Sequence, residues 1–295
     1  MKFAYLVMAH HRFDVLQELI SDLDDPRNDI FLHIDKKTKD APLEKIKKNV
    51  KKAKLIIVDS MNVYWGDSTQ ISCVLKLLKS ACKLGYHDYY HLMVGVEYPI
   101  ISQDDIHNFF LVHKGKEFIG YDRADLNYLD RIRYYYFWNK YARAKNIVKK
   151  WLFLKGIQFV RLQKRLGINR IKNDPLEYKK GYANWSITDG LARFIVGQED
   201  FIKIRMGRTH CADEVFFHTL AFNSPYAKNI YDFNNEYKSC MRLTTWKNSN
   251  NRFGLNDIDM ILDSGKIFAR KIDGPDALDL INAIKNRRRK TDKIL

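Results

Sequence analysis

Two adjacent acids stand late in the chain, at the start of an apolar segment. Asp213 and Glu214 follow His210-Cys211-Ala212 and precede Val215-Phe216-Phe217. Acids at this position are commonly stabilised by the helix dipole, which is a purely structural role. The alternative is a carboxylate held over a cleft as a general base, which takes the proton of an attacking hydroxyl. Taken alone, the segment favours the structural interpretation.

Polar and aromatic side chains also follow the apolar, strand-like segments of the first hundred residues: His10, His11, Asp35, Tyr64, Trp65 and Glu97. Ligands of parallel α/β sheets bind outside the carboxyl ends of the strands, so these side chains are candidates for a binding site. The histidine pair could contact a nucleotide, or one ring could be buried and hydrogen-bonded within the fold. Spacing alone leaves these two interpretations equal.

Cations and acids near the predicted strand ends are the candidates for phosphate and metal binding. The segment Phe268-Ala269-Arg270-Lys271 could be a diphosphate clamp or a plain strand end, since Arg and Lys recognise phosphate oxygens. The only Asp-x-Asp triplets, Asp22-Leu23-Asp24 and Asp257-Ile258-Asp259, fall on predicted helices, so we interpret them as helix acids. Asp35 and Glu97 do not form such a triplet, and we predict no metal site.

Several common motifs are absent from the sequence. Neither GxGxxG nor GxxxxGK[ST] occurs, which argues against dinucleotide oxidoreductases and P-loop enzymes, and there is no GxSxG elbow. The four cysteines form no CxxC pair and no metal-like spacing with histidine. We therefore expect reduced thiols rather than disulfides or a zinc site.

The elements that must position these residues alternate through the first third of the chain. Strands are predicted at 3–9, 30–34, 55–58 and 89–94, with helices between them. This alternation predicts an α/β fold with a doubly wound, mostly parallel sheet flanked by helices. After the basic, aromatic-rich residues 121–182, we predict strands at 183–187, 241–246 and 266–272 and a helix at 213–220. No linker is evident, so we predict one domain spanning 1–295.

Composition excludes other classes of protein. With 46% hydrophobic residues, 17 Tyr and 17 Phe, the chain needs a core to bury its aromatic surface, and no window approaches a membrane span of about 18 apolar residues. The apolar run at the start is too short for a secretory signal, so we expect a cytoplasmic protein. The net charge of +16 indicates an anionic partner, or else a lysine-rich surface without a specific one.

Seven segments, in their order along the chain, resemble the core-2/I-branching glycosyltransferase family (glycosyltransferase family 14): AYLVMAHHRFDVLQELI, FLHIDKK, VYWGDS, YYHLMVGVEYPI, GYANWSIT, ADEVFFHTL and FARK. The resemblance extends from about Phe3 to Ile272. It implies a GT-A-type nucleotide-sugar fold, an inverting reaction and no requirement for a divalent metal. It also implies a UDP-sugar donor, a glycan or lipid-linked glycan acceptor, and no further cofactor.

Matched position by position, the resemblance implies that donor binding falls to His10, Asp35, Trp65, Arg242, Arg270 and Lys271. His10 and Asp35 would line the nucleoside pocket, and Trp65 would lie beside the diphosphate. Lys271 would contact the diphosphate, with the two arginines as co-ligands, although Arg242 aligns only with an insertion. Glu214 matches the catalytic base.

Two segments depart from the family pattern. The block usually written Ser-Gly-x-Asp-Tyr/Phe-Pro-Ile is Val94-Gly95-Val96-Glu97-Tyr98-Pro99-Ile100 here, so a hydroxyl is lost and the acid is one methylene longer. Asn184 precedes Trp185 where the xylosyltransferase branch carries Asp, which argues against peptide xylosylation. The candidate acceptor-binding residues are Glu97, Arg133, Asn184 and Trp185.

The resemblance leads to a functional hypothesis. We expect an enzyme that moves N-acetylglucosamine from its UDP donor in β linkage to a glycan acceptor, in bacterial surface polysaccharide synthesis, because the anchor and disulfides of the secretory branches are not evident. Another UDP-sugar, carrying xylose, glucose or galactose, is the alternative donor. Residues 1–120 would bind the nucleotide, 121–182 would form a basic insertion facing the acceptor or a membrane, and 183–295 would carry the catalytic and diphosphate-binding residues.

Two other partners are suggested by the distribution of cations. The cations and aromatics of Arg131 to Trp138 would suit single-stranded nucleic acid, but the family blocks explain more residues and we expect no nucleic-acid partner. The basic stretch 145–170 either packs on the domain as a solvated helix or lies on an anionic membrane as an interfacial anchor. In the second case the cluster Arg287–Lys290 would add to the same field.

Overall fold

The predicted alternation of strands and helices is present in the computed structural model, which describes residues 1–121, 126–233, 239–245 and 251–291. Its strands are β1 (Phe3–Ala9), β2 (Asn28–Ile34), β3 (Lys54–Val58), β4 (Tyr89–Val94), β5 (Tyr98–Pro99), β6 (Ser186–Thr188), β7 (Arg242–Thr244) and β8 (Phe268–Arg270). Its α-helices are α1 (Phe13–Asp22), α2 (Leu43–Asn49), α3 (Thr69–Leu84), α4 (Gln103–Val112), α5 (Asp130–Arg133), α6 (Ile147–Arg165), α7 (Asp189–Gly197), α8 (Glu199–Met206), α9 (Phe216–Phe222), α10 (Ile258–Leu262) and α11 (Ala277–Thr291).

The central sheet has the strand order β3-β2-β1-β4-β6. The first four strands are parallel, and β6 pairs antiparallel with β4 at the edge. In this register Leu6 lies opposite Phe31 on one side and Leu92 on the other. The predicted fold class, an α/β fold with a mostly parallel sheet, is confirmed.

Alternate residues of β1 face two separate cores. Ala4 and Leu6 pack into the core formed with α3, α7 and α9, whereas Phe3, Tyr5 and Val7 pack into the core formed with α1 and α11. Successive side chains of a strand point to opposite faces, so a strand that is apolar at every position must be covered on both sides. Helices therefore flank both faces of the sheet, as the doubly wound prediction requires.

A smaller sheet, in the order β5-β8-β7, lies beyond the end of β4. Its middle strand β8 pairs antiparallel with β5 and parallel with β7. Because only Gly95, Val96 and Glu97 separate β4 from β5, the small sheet begins at the carboxyl edge of the large one. Arg242 and Arg270 are thereby brought to that edge from distant parts of the sequence.

Several predicted elements differ from those observed, among them the strand predicted at 266–272, which is shortened to β8. The strand predicted at 183–187 begins only at Ser186. The helix predicted at 213–220 is divided into a 3-10 helix, Ala212–Glu214, and α9, because Val215 between them has a non-helical backbone. The strand predicted at 241–246 is shortened to β7, since Met241 has a φ of 54°, and Trp246 lies outside the described residues.

The basic segment between the two halves contains helices and irregular backbone. In the described part of 121–182 it contains 3-10 helices at Leu126–Leu129 and Asn139–Tyr141, the short α5 and the 19-residue α6. Within the described ranges, no helix combines the length and the apolar character needed to cross a membrane.

Candidate active site

The register of β1 and β2 places two predicted donor-binding residues side by side. Ala9 pairs with Ile34, so His10 and Asp35 leave neighbouring strands at the same edge. The buried carboxylate of Asp35 accepts a hydrogen bond from the backbone N–H of Lys37 at 2.9 Å and pairs with the Lys37 amino group at 3.0 Å. Loss of solvation, followed by the proximity of His11, lowers the pKa of His10 from its ordinary value. A neutral imidazole beside a fixed carboxylate suits the hydroxyl and amide groups of a nucleoside.

The loop after β3 carries Trp65, whose side chain is 47% exposed. Gly66 has a φ of +73°, and a Cβ at this position would lie 3.1 Å from the ring of His210. Glycine therefore permits both the left-handed backbone and the close approach. The backbone N–H of Cys211 donates to the Gly66 carbonyl oxygen at 3.0 Å. This bond joins the Trp65 loop to the segment that contains the predicted base.

Glu214 is presented by an unusual backbone. Cys211 has a φ of 48°, a left-handed conformation that is uncommon outside glycine and tends to mark functional sites. The carbonyl oxygen of Glu214 accepts a hydrogen bond from the backbone N–H of Gly181 at 2.9 Å. The Glu214 carboxylate is 39% exposed and pairs with Arg131 Nη1 at 2.7 Å. It is thus oriented from one side and accessible to an incoming hydroxyl from the other.

Asp213, the other acid of the pair, faces inward. Its carboxylate accepts a hydrogen bond from Gln70 Nε2 at 2.9 Å, while Gln70 Oε1 accepts from the backbone N–H of Gly66 at 2.6 Å. Loss of solvation and then repulsion by Glu214 raise the pKa of Asp213 to about 7. The two adjacent acids therefore differ in role: Asp213 ties α3 and the Trp65 loop together, and Glu214 faces the open side.

A group of cations lies at the same edge. The side-chain amino group of Lys271, next to Arg270, has no hydrogen-bond or ion-pair partner in the described ranges, whereas its backbone N–H and carbonyl oxygen bond to Asn251 and Phe253. Its partial burial and then the proximity of Arg270 lower its pKa, and Arg143 and Arg252 add to the effect. Arg252 pairs with Asp273 at 2.7 Å, which leaves the other three cations in excess. Clustered positive charges of this kind are relieved by binding an anion.

Arg143 is a site residue that the sequence analysis missed. It comes from the basic segment, and its guanidinium lies over the Trp65 ring at 4.1 Å from the ring centroid. It is also close enough to His10 to contribute to the lowering of the pKa of that imidazole. The local sequence Tyr141-Ala142-Arg143-Ala144 contains no motif. Arg143 is identified by its contact with Trp65 and its proximity to His10, both of which are distant from it in the sequence.

Behind these cations, the buried side chains of Glu97, Arg242 and Asn184 form a network that the partly buried Arg270 joins. The side chains of Glu97 and Arg242 are 0% exposed and pair at 3.2 Å. Asn184 donates through Nδ2 to Glu97 Oε2, and its Oδ1 accepts from Arg270 Nη1 at 3.1 Å. Burial raises the pKa of Glu97, an effect that Arg242 and Arg270 oppose. The network holds Arg270 in place through Asn184.

The network corrects the predicted role of Arg242. Its guanidinium donates to Glu97, to the carbonyl oxygen of Cys240 at 2.7 Å and to that of Trp185 at 2.9 Å, and none of the side chain is exposed. A fully enclosed side chain has no surface left for a donor diphosphate. We therefore place Arg242 in the support of the site, where it acts through Glu97.

The predicted acceptor-binding residues also occupy different environments. Trp185 is 1% exposed and stacks on Phe217 with ring centroids 4.4 Å apart, so it is a core residue and its side chain is not available to an acceptor. Glu97 and Asn184 are buried as well. Arg133 is the exposed member of the set and pairs with Asp130 at 3.5 Å.

The helix acids have structural partners, as interpreted from the sequence. Asp22 pairs with Arg288 at 2.9 Å, and Asp259 pairs with Arg287 at 2.9 Å. Asp24 accepts hydrogen bonds from the backbone N–H groups of residues 51–53. In the described ranges, no three His, Cys, Asp or Glu side chains come together in an arrangement that could hold a metal ion.

Comparison with known proteins identifies one family. A sequence profile described as Core-2/I-Branching enzyme matches residues 3–260, a range that includes Glu214 and the strand-end residues but ends before Arg270 and Lys271. No curated protein matches the chain. Among solved structures, the chain is similar to the apo form of mouse xyloside xylosyltransferase 1, with 10% sequence identity, a TM-score of 0.39, and coverage of 90% of this chain and 96% of that one.

Proposed function

Because the chain belongs to the core-2/I-branching enzyme family and is therefore a glycosyltransferase, we propose that Glu214 is its catalytic base. The observation that carries the proposal is the accessible Glu214 carboxylate at the same strand edge as a group of excess cations. The carboxylate would take the proton of an acceptor hydroxyl as that oxygen attacks the anomeric carbon of the donor sugar. Attack opposite to the leaving group inverts the configuration at that carbon.

We assign the leaving diphosphate of a UDP-sugar to the cations that lie at the same strand edge as the base. As the bond between the sugar and the diphosphate breaks, negative charge grows on the phosphate oxygens and requires a positive partner. Lys271, Arg270 and Arg143 supply fixed positive charge, a role that a divalent metal performs in many enzymes of this kind. The reaction we propose is therefore independent of a divalent metal.

We assign the remaining contacts with the donor to residues at the carboxyl ends of the strands. His10 and Asp35 face the nucleoside, and the exposed Trp65 ring, already covered by Arg143, lies beside the diphosphate. In this scheme, residues 1–120 bind the nucleoside, and residues 183–295 carry the catalytic base and most of the cations. The basic segment contributes Arg143. The 1–295 chain acts as one catalytic domain in this scheme.

For the substrates, the family resemblance supports N-acetylglucosamine from UDP-N-acetylglucosamine, joined in β linkage to a glycan acceptor. Xylose, glucose and galactose are the alternative donor sugars. A cytoplasmic role in bacterial surface polysaccharide synthesis is the setting we propose. Pocket shape around the anomeric carbon decides among these sugars.

Release of UDP from a panel of UDP-sugars, with and without EDTA, tests the proposal. We expect one donor to dominate and the activity to survive the chelator. Replacing Lys271 by Ala should weaken donor binding and lower the rate, whereas Lys48→Ala, a change of an exposed lysine on α2, should leave both unchanged. Activity that is lost in EDTA and restored by Mn²⁺ would contradict the assignment of the diphosphate to these cations.

A further inference from the structure

The basic segment has an extreme distribution of charge. Residues 131–173 contain 13 Lys and Arg and no Asp or Glu. Because the whole chain carries a net charge of +16, most of its excess positive charge falls in this one segment. A segment without any acid cannot neutralise itself, so its partner must be anionic or its charges must remain solvated.

The central helix of the segment, α6, packs on the protein through a narrow side. Gly156, Val160 and Gln163 are its buried residues. A Cβ at Gly156 would lie 2.7 Å from the carbonyl oxygen of Phe137, so the absence of a side chain at this position allows α6 to approach the backbone of Phe137 closely. The Gln163 amide accepts from the backbone N–H of Tyr135 at 2.8 Å and donates to the Tyr135 carbonyl oxygen at 2.9 Å. The helix is therefore held firmly along one edge.

The opposite side of α6 is apolar and exposed. Ile147, Trp151, Leu154 and Leu162 recur at helical spacing, with the exposed Gln158 between the last two, and 80%, 54%, 49% and 46% of the surfaces of the four apolar residues are exposed. A solvated helix face is expected to carry polar residues here. Single exposed apolar residues are ordinary, but a stripe of large ones along one helix indicates a binding surface.

Cations border this stripe without acidic partners. Lys150, Arg161 and Arg165 are exposed and have no ion-pair partner among the residues that the structure describes. Lys155 extends over the Trp151 ring, 5.3 Å from its centroid. An apolar stripe that contains Trp and is flanked by Lys and Arg matches the interface of a lipid bilayer, where the ring and the cations lie at the level of the headgroups.

We infer that the outer face of α6 docks flat on an anionic lipid surface, with Ile147, Trp151, Leu154 and Leu162 at the boundary of headgroups and acyl chains. In the cluster Arg287–Lys290, predicted to reinforce this contact, the two arginines whose side chains are described have acidic partners. Arg288 is largely enclosed and bonded to Asp22, and Arg287 pairs with Asp259. The side chains of residues 289 and 290 lie outside the described residues.

The same segment also reaches the candidate active site. Arg131 pairs with Glu214, Arg143 covers Trp65, and the Tyr136 ring stacks on His210 with centroids 5.5 Å apart. Because α6 begins four residues after Arg143, we infer that a membrane under α6 lies near the candidate active site. This orientation rests on the proposed function, and it would suit an acceptor carried on a lipid.

Co-sedimentation of the full chain with vesicles tests the inference. We expect binding to phosphatidylcholine vesicles that contain about one third phosphatidylglycerol, weak binding to pure phosphatidylcholine, and a steep loss of binding as salt rises. Trp151→Ser with Leu154→Ser, and separately Lys150→Gln with Arg161→Gln and Arg165→Gln, should each weaken binding by about 10-fold or more. Ile204→Ser on α8, which is 77% exposed, and Lys45→Gln with Lys48→Gln on α2 are the matched controls and should bind as the unaltered chain does.

The possible outcomes are separable. Failure to sediment at low salt, equal binding to neutral vesicles, or equal loss in the control variants would overturn the inference. So would a dimer in analytical ultracentrifugation that the Trp151 and Leu154 changes abolish while vesicle binding is absent, because a second copy would then cover the stripe. UDP release from free donor should be unchanged in all these variants, so failure of the catalytic proposal is detected independently.

Discussion

Glu97 and Glu214 each pair with an arginine at the same edge of the sheet, yet their surroundings differ. The pair of Glu97 with Arg242 is 3.2 Å long and wholly enclosed, with both side chains 0% exposed. The pair of Glu214 with Arg131 is shorter, at 2.7 Å, but its side chains are 39% and 28% exposed. Water can screen the second pair and cannot reach the first.

This difference in exposure distinguishes an ion pair that stabilises the site from a carboxylate that can take part in the reaction. In the enclosed pair, both groups have lost their hydration, so removing either partner leaves a buried polar group uncompensated. In the open pair, either partner can exchange its ion-pair contact for water at little cost. A base must meet a substrate hydroxyl, and only the open carboxylate can do so. If the contribution to stability were judged from the N···O distance alone, the exposed pair of Glu214 would rank above the enclosed pair of Glu97. Burial indicates the reverse.

The largest effect should follow from opening the enclosed pair. Arg242→Met should lower the free energy of unfolding by about 3–5 kcal/mol, because it leaves the buried Glu97 carboxyl and several carbonyl oxygens without their donor. Urea denaturation measures the change. The double change of Arg242→Met with Glu97→Gln should lose less than Arg242→Met alone. A loss below about 1 kcal/mol would show that the pair of Glu97 with Arg242 contributes no more to stability than an exposed ion pair, which would contradict the prediction.

Changing the open carboxylate should affect the rate rather than the stability. Glu214→Gln should lower turnover by about 10²-fold or more, since general-base catalysis contributes at least that much, and should spare donor binding. Its unfolding free energy should stay within about 1 kcal/mol of the unaltered chain, because the pair with Arg131 is exposed. Turnover close to that of the unaltered chain would remove Glu214 from the role of base.

Asp213, which precedes Glu214 in the chain, should make the free energy of unfolding depend on pH. The pKa of Asp213 is raised to about 7, so the folded state holds this proton more tightly than the unfolded chain does. The stabilisation is complete below the ordinary pKa of Asp, near 3.8, and is lost as pH rises to about 7. Asp213→Asn should remove this dependence.

Unfolding free energies of the Asn variant and the unaltered chain at pH 5 and pH 8 measure the effect. The advantage of the Asn variant should grow with pH, by an amount on the order of 1–2 kcal/mol, because one pKa unit corresponds to about 1.4 kcal/mol and solvent screens part of it. Parallel pH profiles for the two proteins would show that Asp213 titrates like an exposed acid.

The smallest effect is expected at the other partner of the open pair. Arg131→Met should change the unfolding free energy by about 0–1 kcal/mol, as exposed ion pairs usually do. Because Arg131 orients Glu214, the rate should fall several-fold, and Arg131→Lys should recover part of it. A stability loss as large as that of Arg242→Met would make the two pairs equivalent.

Much of the edge that carries the site was predictable. The burial of β1 and β2 on both faces follows from their continuous apolar runs, so the position of His10 and Asp35 after them could be inferred before any contact was known. The same rule led to Glu97, yet it could not distinguish a residue facing the cleft from one sealed beneath it. That distinction depends on Asn184 and Arg242, which approach Glu97 from elsewhere in the chain.

The pattern of residues along the sequence was therefore enough to predict the alternation of strands and helices, the strand ends and the seven segments that resemble the family. These features depend on the local spacing of apolar and polar residues. Tertiary structure alone decided that Arg242 and Trp185 are enclosed, that Arg143 covers Trp65, and that the apolar face of α6 is exposed. Each of these properties is the loss or retention of water around a side chain. Solvation is set by whichever residues pack nearby, and spacing along the sequence does not specify them.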